Sequence, residues 1–420
     1  MFKNLTPAKA LLWAVAGVAG TALAVAAIGS LSVTAANQGH VVLGVQAGGK
    51  TIAGLSYEET RQYFGKLAQQ KLDKNAAVLQ YEQKSWAITP EEIGLQGKVD
   101  EAAQAAYAIG RDENASGLTN LITQMRCALF GTEVTMDADF NPELLNQRLE
   151  KIRQEIITQP ENAACYLNAD GSIGKKMGRN GLSLDMAPIA EELAPQFRAL
   201  ELTAHATLEP TVIQPYVTNA DVAAIDTVLG AYTTTYYPGP RGDNIALAAS
   251  FLNDILIRPG AEISFNALVG PRTPARGFQD APVIIDGKHE IDSGGGVCQV
   301  STTVYNAVLL AGLTPTQRTS HYYASAYCPP GRDATVADGL LDLQFRNSLA
   351  HPVYMLSSAG ASEITIYILG TRADLGGKTI SLYSTGSSMT PTLYRLWLQN
   401  GEVLEQEYLH TDRYSKDTGA

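Results

Sequence analysis

Asp292-Ser293-Gly294-Gly295-Gly296-Val297-Cys298-Gln299-Val300-Ser301-Thr302-Thr303 places a cysteine behind three glycines, at the start of a predicted helix. The apolar residues Val300, Val304, Val308 and Ala311 recur every three or four positions after Cys298, and Gly312 follows as a stop. A helix N-terminus offers unpaired backbone N–H groups and roughly half a positive charge, which favour thiolate over thiol and also favour an oxyanion beside the sulfur. Gly294 to Gly296 form the leading loop. Without a Cβ, Gly295 and Gly296 allow positive φ and let a substrate backbone come close. The competing reading is inert packing, because cysteine is among the most buried residue types.

The N-terminus bears on what this thiol meets. Lys3 and Lys9 precede an uncharged apolar run from Ala10 to about Leu31, and no Lys or Arg returns until Lys50. A run of about 20 apolar residues can span a bilayer, and the basic flank lies on the inner side. The expectation is a signal-anchor transmembrane helix within residues 1–36, a single-pass protein of the cell membrane, and extracellular domains after it. Small residues at Ser32 to Ala36 leave cleavage as the alternative. Export makes disulfides feasible among Cys127, Cys165, Cys298 and Cys328, the simplest pairing being within each half of the chain. A Cys298–Cys328 bond would block the thiol until reduced.

With 45% hydrophobic and 17% charged residues, the remainder reads as folded globular chain. Its net charge of −11, without any basic run, argues against a nucleic-acid partner. The expected class is α+β: a transmembrane helix, two α+β repeat units at 37–125 and 126–215, a mixed α/β domain at 216–375 and a β appendage at 376–420. In the first unit Ser56 and Glu59 form a capping box, residues 77–81 read as strand and 100–109 as helix. The second repeats the order with a helix from Asn141, a strand at 164–167, a helix at 187–197 and a strand at 203–210. Neither unit carries an evident catalytic group. Near the C-terminus Asn400-Gly401 marks a hairpin.

Further motifs cluster in the mixed domain: Val269-Gly270-Pro271-Arg272-Thr273, Arg276-Gly277-Phe278, the glycine–cysteine stretch, Tyr305-Asn306, His321, Pro329-Pro330-Gly331-Arg332-Asp333, and Asp342-Leu343 with Phe345-Arg346-Asn347. On these residues the chain resembles the VanW domain family, named for an accessory protein of glycopeptide-resistance clusters. The two preceding units resemble peptidoglycan-binding repeats, through Gly54-Leu55-Ser56, Ile93-Gly94, Ala108-Ile109-Gly110-Arg111 and Gly181. The resemblance implies a cell-wall protein acting on peptidoglycan stem peptides, and for some members an L,D-transpeptidase. In that reaction a cysteine attacks the bond before the terminal D-Ala and an amine from a neighbouring stem resolves the thioester, giving a 3→3 cross-link. Water as acceptor makes it an L,D-carboxypeptidase. The alternative is a non-catalytic peptidoglycan-binding or resistance accessory module.

Such chemistry needs a nucleophile, a base, a group orienting the base and oxyanion donors. Cys298 is the expected nucleophile. Of the six histidines, only His321 stands where the resembling family carries one, although Thr319 and Ser320 before it depart from the pattern. Asp333 is the expected orienting carboxylate. Arg332 would bind a substrate carboxylate or pair with an acid, and Gly295, Gly296, Gln299 and Ser301 would line the substrate. Asp342 and Asn347 are expected to fix loops. Cys328 stands where an apolar residue is expected; with Cys298 and His321 it follows no zinc-ligand spacing, so neither metal nor cofactor is expected.

Overall fold

The computed structural model describes residues 37–202, 204–285 and 288–416, together with Ala35. These residues are α+β and form two units, one built from the chain up to 158 with 182–212, the other from 159–181 and the chain from 213 onward. The longest described helix, Tyr57–Leu72, has 16 residues and a mostly polar surface. Among the described residues no helix is long and apolar enough to cross a membrane. The expected transmembrane helix, and the single-pass membrane placement that depended on it, are therefore withdrawn. The run at 10–31 on which they were based lies outside the described residues.

The first unit has one hydrophobic core that draws on both expected repeats, from Val41 and Phe64 to Leu149 and Phe197. Strand Ala77–Tyr81 pairs antiparallel with Lys84–Ile88 and parallel with Ala204–Thr207, so the strand late in the sequence completes the sheet begun early in it. Ser56 and Glu59 close a reciprocal capping box at the start of Tyr57–Leu72. Asn141 caps Pro142–Gln154, whose proline occupies the first turn, where a missing N–H costs nothing. A helix that the sequence reading did not mark, Gly117–Phe130, turns Leu118, Ile122, Leu129 and Phe130 outward.

The second unit is built on a four-stranded antiparallel sheet ordered Thr227–Thr235, Glu363–Gly370, Val353–Ala359, Ile255–Ile257. The cysteine helix, Val297–Leu310, buries Val300, Val304 and Val308 in the same core as Ile366 and Ile368 of this sheet. The hairpin Asp280–Ile285 with Lys288–Ser293 delivers the chain to its N-terminus. The last three strands, Thr379–Ser387, Thr390–Gln399 and Glu402–Thr411, form a sheet whose Leu382 and Leu393 belong to that core too. Asn400 and Gly401, both at positive φ, make its second turn. Arg395 in this sheet is buried, paired to Glu407 at 2.7 and 2.9 Å, and donates from Nη1 to the Leu313 carbonyl at 2.8 Å. A cation thus sits near the negative end of the cysteine helix.

At Gly230 the sheet backbone lies directly against that of the helix. A Cβ there would lie 2.5 Å from both the Ala307 carbonyl and the Ala311 nitrogen, backbone atoms that cannot rotate away. Gly230→Ala is expected to destabilise the second unit by about 1–3 kcal/mol despite the entropy advantage of alanine. A lowered urea midpoint followed by circular dichroism checks this; an unchanged midpoint would show that helix and sheet are not in such contact.

Candidate active site

Cys298 is the second residue of its helix, behind Gly296 as N-cap. Its half-buried sulfur lies 3.4 Å from the Val336 carbonyl, which accepts from the neutral thiol, and 3.6 Å from Thr335 Oγ1. The glycines before it serve the fold more than a substrate. A Cβ on Gly295 would meet the Ala281 and Pro282 carbonyls at 2.7 Å, and one on Gly296 would approach the Arg241 carbonyl at 2.9 Å.

One face of the cysteine helix clamps the segment that carries Asp333. Ser301 Oγ donates to the Ala334 carbonyl at 2.6 Å, Thr302 Oγ1 accepts from the Ala334 N–H at 3.0 Å, and Asn306 Nδ2 donates to the Arg332 carbonyl at 2.7 Å. Polar side chains on a buried helix need such partners, and here the partner is the backbone of the loop that carries Asp333. The neighbouring loop joins through the Thr335 N–H, which donates to the Thr319 carbonyl at 2.9 Å.

That arrangement brings Cys298, His321 and Asp333 together. Asp333 Oδ2 accepts from the His321 backbone N–H at 2.6 Å and from its Nδ1 at 2.7 Å, which fixes the ring and leaves Nε2 for the Cys298 sulfur. Tyr327 Oη stands 3.4 Å from Nε2. Asp333 Oδ1 accepts from Arg318 Nη2 at 3.2 Å and from the Tyr414 hydroxyl in a short bond. Arg318 also grips Asp412 through both nitrogens, at 2.5 and 2.7 Å, and donates from Nε to the Asp333 carbonyl at 2.7 Å.

Burial opposes charge on every member of this row, yet the charged forms win. Burial would raise Asp333, but the His321 hydrogen bond and the Arg318 charge hold its carboxyl down at about 2. Burial would lower His321, but Asp333 and the sulfur raise it to about 9. Burial would raise Cys298, but the His321 hydrogen bond and charge bring it down to about 7. The site therefore favours a thiolate–imidazolium pair between these values.

Other expected site residues have different work. Gln299 is 1% exposed, donating to Thr234 Oγ1 and the Thr235 carbonyl and accepting from Arg241, so its amide is committed inside the fold. Ser301 is fully buried in the loop clamp. Asp333 pairs with Arg318 rather than with Arg332, whose guanidinium instead donates to the Leu382 carbonyl. Asp342 holds the N–H groups of Asn266 and Leu343, and Asn347 bridges the Ile257 and His351 carbonyls. All four cysteines are free thiols, so the within-half pairings are not made, and burial raises Cys328 to about 12. Among the described residues no three His, Cys, Asp or Glu side chains are grouped to hold a metal ion. Arg318, Asp412 and Tyr414 escaped sequence reading because they follow no local pattern around the cysteine.

The depressed thiol predicts that iodoacetamide labels Cys298 with a half-maximal rate near pH 7, read by peptide mapping. In Asp333→Asn the imidazolium loses its partner, its pKa falls and that of the thiol returns toward about 8.5, slowing labelling at pH 7 by about fifteenfold. An unchanged pH 7 inflection in Asp333→Asn would mean that the carboxylate does not govern the pair.

Two stretches of the chain match known protein families. Residues 240–369 match the family model "VanW like protein", and residues 86–199 match that of the "Putative peptidoglycan binding domain". The uncharacterized protein YoaR of Bacillus subtilis (strain 168) is 35% identical over 230 residues, covering 54% of this chain and 74% of that protein. The vancomycin B-type resistance protein VanW of Enterococcus faecalis (strain ATCC 700802 / V583) is 37% identical over 109 residues, 25% of this chain and 40% of its own length. No solved structure matches. With its motifs, its glycine–cysteine helix and a relative matched over most of its length, the chain belongs to the VanW family and carries a peptidoglycan-binding region ahead of the VanW-like domain.

Proposed function

We propose that the protein is a cell-wall enzyme that uses Cys298 for acyl transfer on peptidoglycan stem peptides, as an L,D-transpeptidase. The observation that carries this reading is His321, held by Asp333 on Nδ1 at 2.7 Å and near enough to Cys298 for its hydrogen bond and charge to lower the thiol, the order of a nucleophile–base–orienter row. The Cys298 thiolate attacks the carbonyl carbon of the third stem residue, and the oxyanion forms beside the N-terminus of the cysteine helix. His321 gives its proton to the departing amine as the C–N bond breaks, D-Ala leaves, and a thioester remains on sulfur. An amine of a neighbouring stem then attacks the thioester, His321 takes its proton, and the new amide restores the thiolate–imidazolium pair. Water in place of the amine yields a tripeptide and makes the step an L,D-carboxypeptidase reaction. The peptidoglycan-binding match at 86–199 favours a role for that region in holding the polymer. It also supports the second reading, in which the whole chain binds peptidoglycan without breaking bonds.

The full chain, kept reduced and supplied with tetrapeptide muropeptides, is expected to release D-Ala, to carry a tripeptidyl adduct on Cys298 by mass spectrometry and to form 3→3 dimers. Cys298→Ala should lower release by about a thousandfold or more while still binding muropeptide. Lack of both D-Ala and adduct with the parent protein would sink the enzyme reading and leave the binding module. D-Ala release by Cys298→Ala at the parental rate would remove Cys298 as nucleophile.

A further inference from the structure

A second cation lies beside the thiol and takes no part in those steps. Arg272, in the turn Gly270-Pro271-Arg272-Thr273, has a side chain only 7% exposed, resting 5.9 Å over the Phe265 ring. Its Nη2 donates to Asn266 Oδ1 at 2.6 Å, and Asn266 is itself held by donating to the Leu341 carbonyl at 2.8 Å. Nη1 is buried, makes no aligned hydrogen bond and faces the Asp338 carboxylate, its ion-pair partner. Asp338 also accepts from the Arg272 backbone N–H at 2.9 Å, yet its side chain is 47% exposed. A buried cation is thus closed off by a half-exposed carboxylate.

Three features tie this pair to the Cys298 centre. A Cβ on Gly294 would lie 2.7 Å from Arg272 Cβ and 2.9 Å from Cγ, so a residue leading into the cysteine helix is kept bare for the arginine stem. Asp338 follows by two residues Val336, whose carbonyl touches the sulfur. The Arg272 charge interacts with that of the Cys298 thiolate.

The chemistry of removing a C-terminal residue states what belongs here. Its carboxylate carbon is three bonds from the scissile carbonyl carbon, less than about 4 Å away, so the site needs a fixed cation close to the nucleophile. Arginine answers a carboxylate with two parallel N–H donors. Accepting the acyl-transfer reading above, we infer that Arg272 receives the free carboxylate of the terminal stem residue, and that Asp338 occupies that position until substrate displaces it. Substrates are then stems that end in a free carboxylate one residue beyond the attacked carbonyl. This assigns to Arg272 the role that the sequence offered to Arg332.

The test compares a tetrapeptide stem with its C-terminal carboxamide, using the full chain for turnover and its Cys298→Ala form for calorimetric binding. The parent is expected to prefer the acid at least about tenfold in kcat/KM, and Arg272→Gln to lose about a hundredfold on the acid, chiefly through KM, with little change on the amide. Arg272→Lys should restore part of the preference, and Asp338→Asn should lower KM for the acid several-fold and not for the amide. A merely structural arginine would instead depress acid and amide alike. Equal losses, or an acid preference that survives Arg272→Gln, overturn the inference while leaving the enzyme reading in place. If Arg272→Gln fails to fold, Asp338→Asn decides: KM for the acid unchanged or raised overturns the proposal. A parent protein that neither binds nor cleaves either stem removes the enzyme reading and this inference together.

Discussion

Asp333 carries a negative charge at 1% exposure, and the second unit is arranged to keep it there. An ionised carboxylate taken out of water costs several kcal/mol unless hydrogen bonds and opposite charge replace the lost hydration. Replacement comes from four directions: the His321 ring, the His321 backbone, Arg318 and Tyr414. Arg318 has the same difficulty in reverse, and Asp412 resolves it. Each buried charge is therefore the reason for the next, and the row ends at Cys298, the member whose charge a reaction would use.

The helix that bears Cys298 links this row to the fold at both ends. Its N-terminal turns hold the thiol and, through Ser301, Thr302 and Asn306, the backbone that positions Asp333. Beyond its other end lies Arg395, and beneath it the close approach at Gly230 sets its distance from the sheet. Chemistry and packing share these residues, so a mutation meant to probe one will disturb the other. Arg272 and Asp338 lie outside the hydrogen bonds of this clamp.

What the sequence disclosed was what its local spacing encodes. The period of Val300, Val304 and Val308 marked the cysteine helix, Ser56 with Glu59 marked a cap, and Asn400-Gly401 marked a hairpin, each through atoms within one turn of chain. His321 and Asp333 came from motif positions. Ser301 and Gln299, expected to line a substrate because they follow Cys298, are buried, since the helix is covered around most of its circumference and its polar groups are satisfied inside. The interplay of early and late strands in the first unit, such as Ala77–Tyr81 with Ala204–Thr207, leaves no trace in local pattern. The same holds for Arg318 with Asp412, 94 residues apart, and for Asp333 with Tyr414, 81 apart. The thiol pairings inferred from halves of the chain failed because proximity in sequence does not bring sulfurs together.

The three closing strands have a bearing on time as well as on space. They lead directly to Asp412 and Tyr414, so a chain made from its N-terminus produces Cys298 more than a hundred residues before the groups that complete the carboxylate behind it. Until those residues dock, Asp333 lacks its Tyr414 donor and Arg318 lacks its Asp412 partner. The buried charges behind Cys298 are therefore complete only when the last strands of the chain are in place.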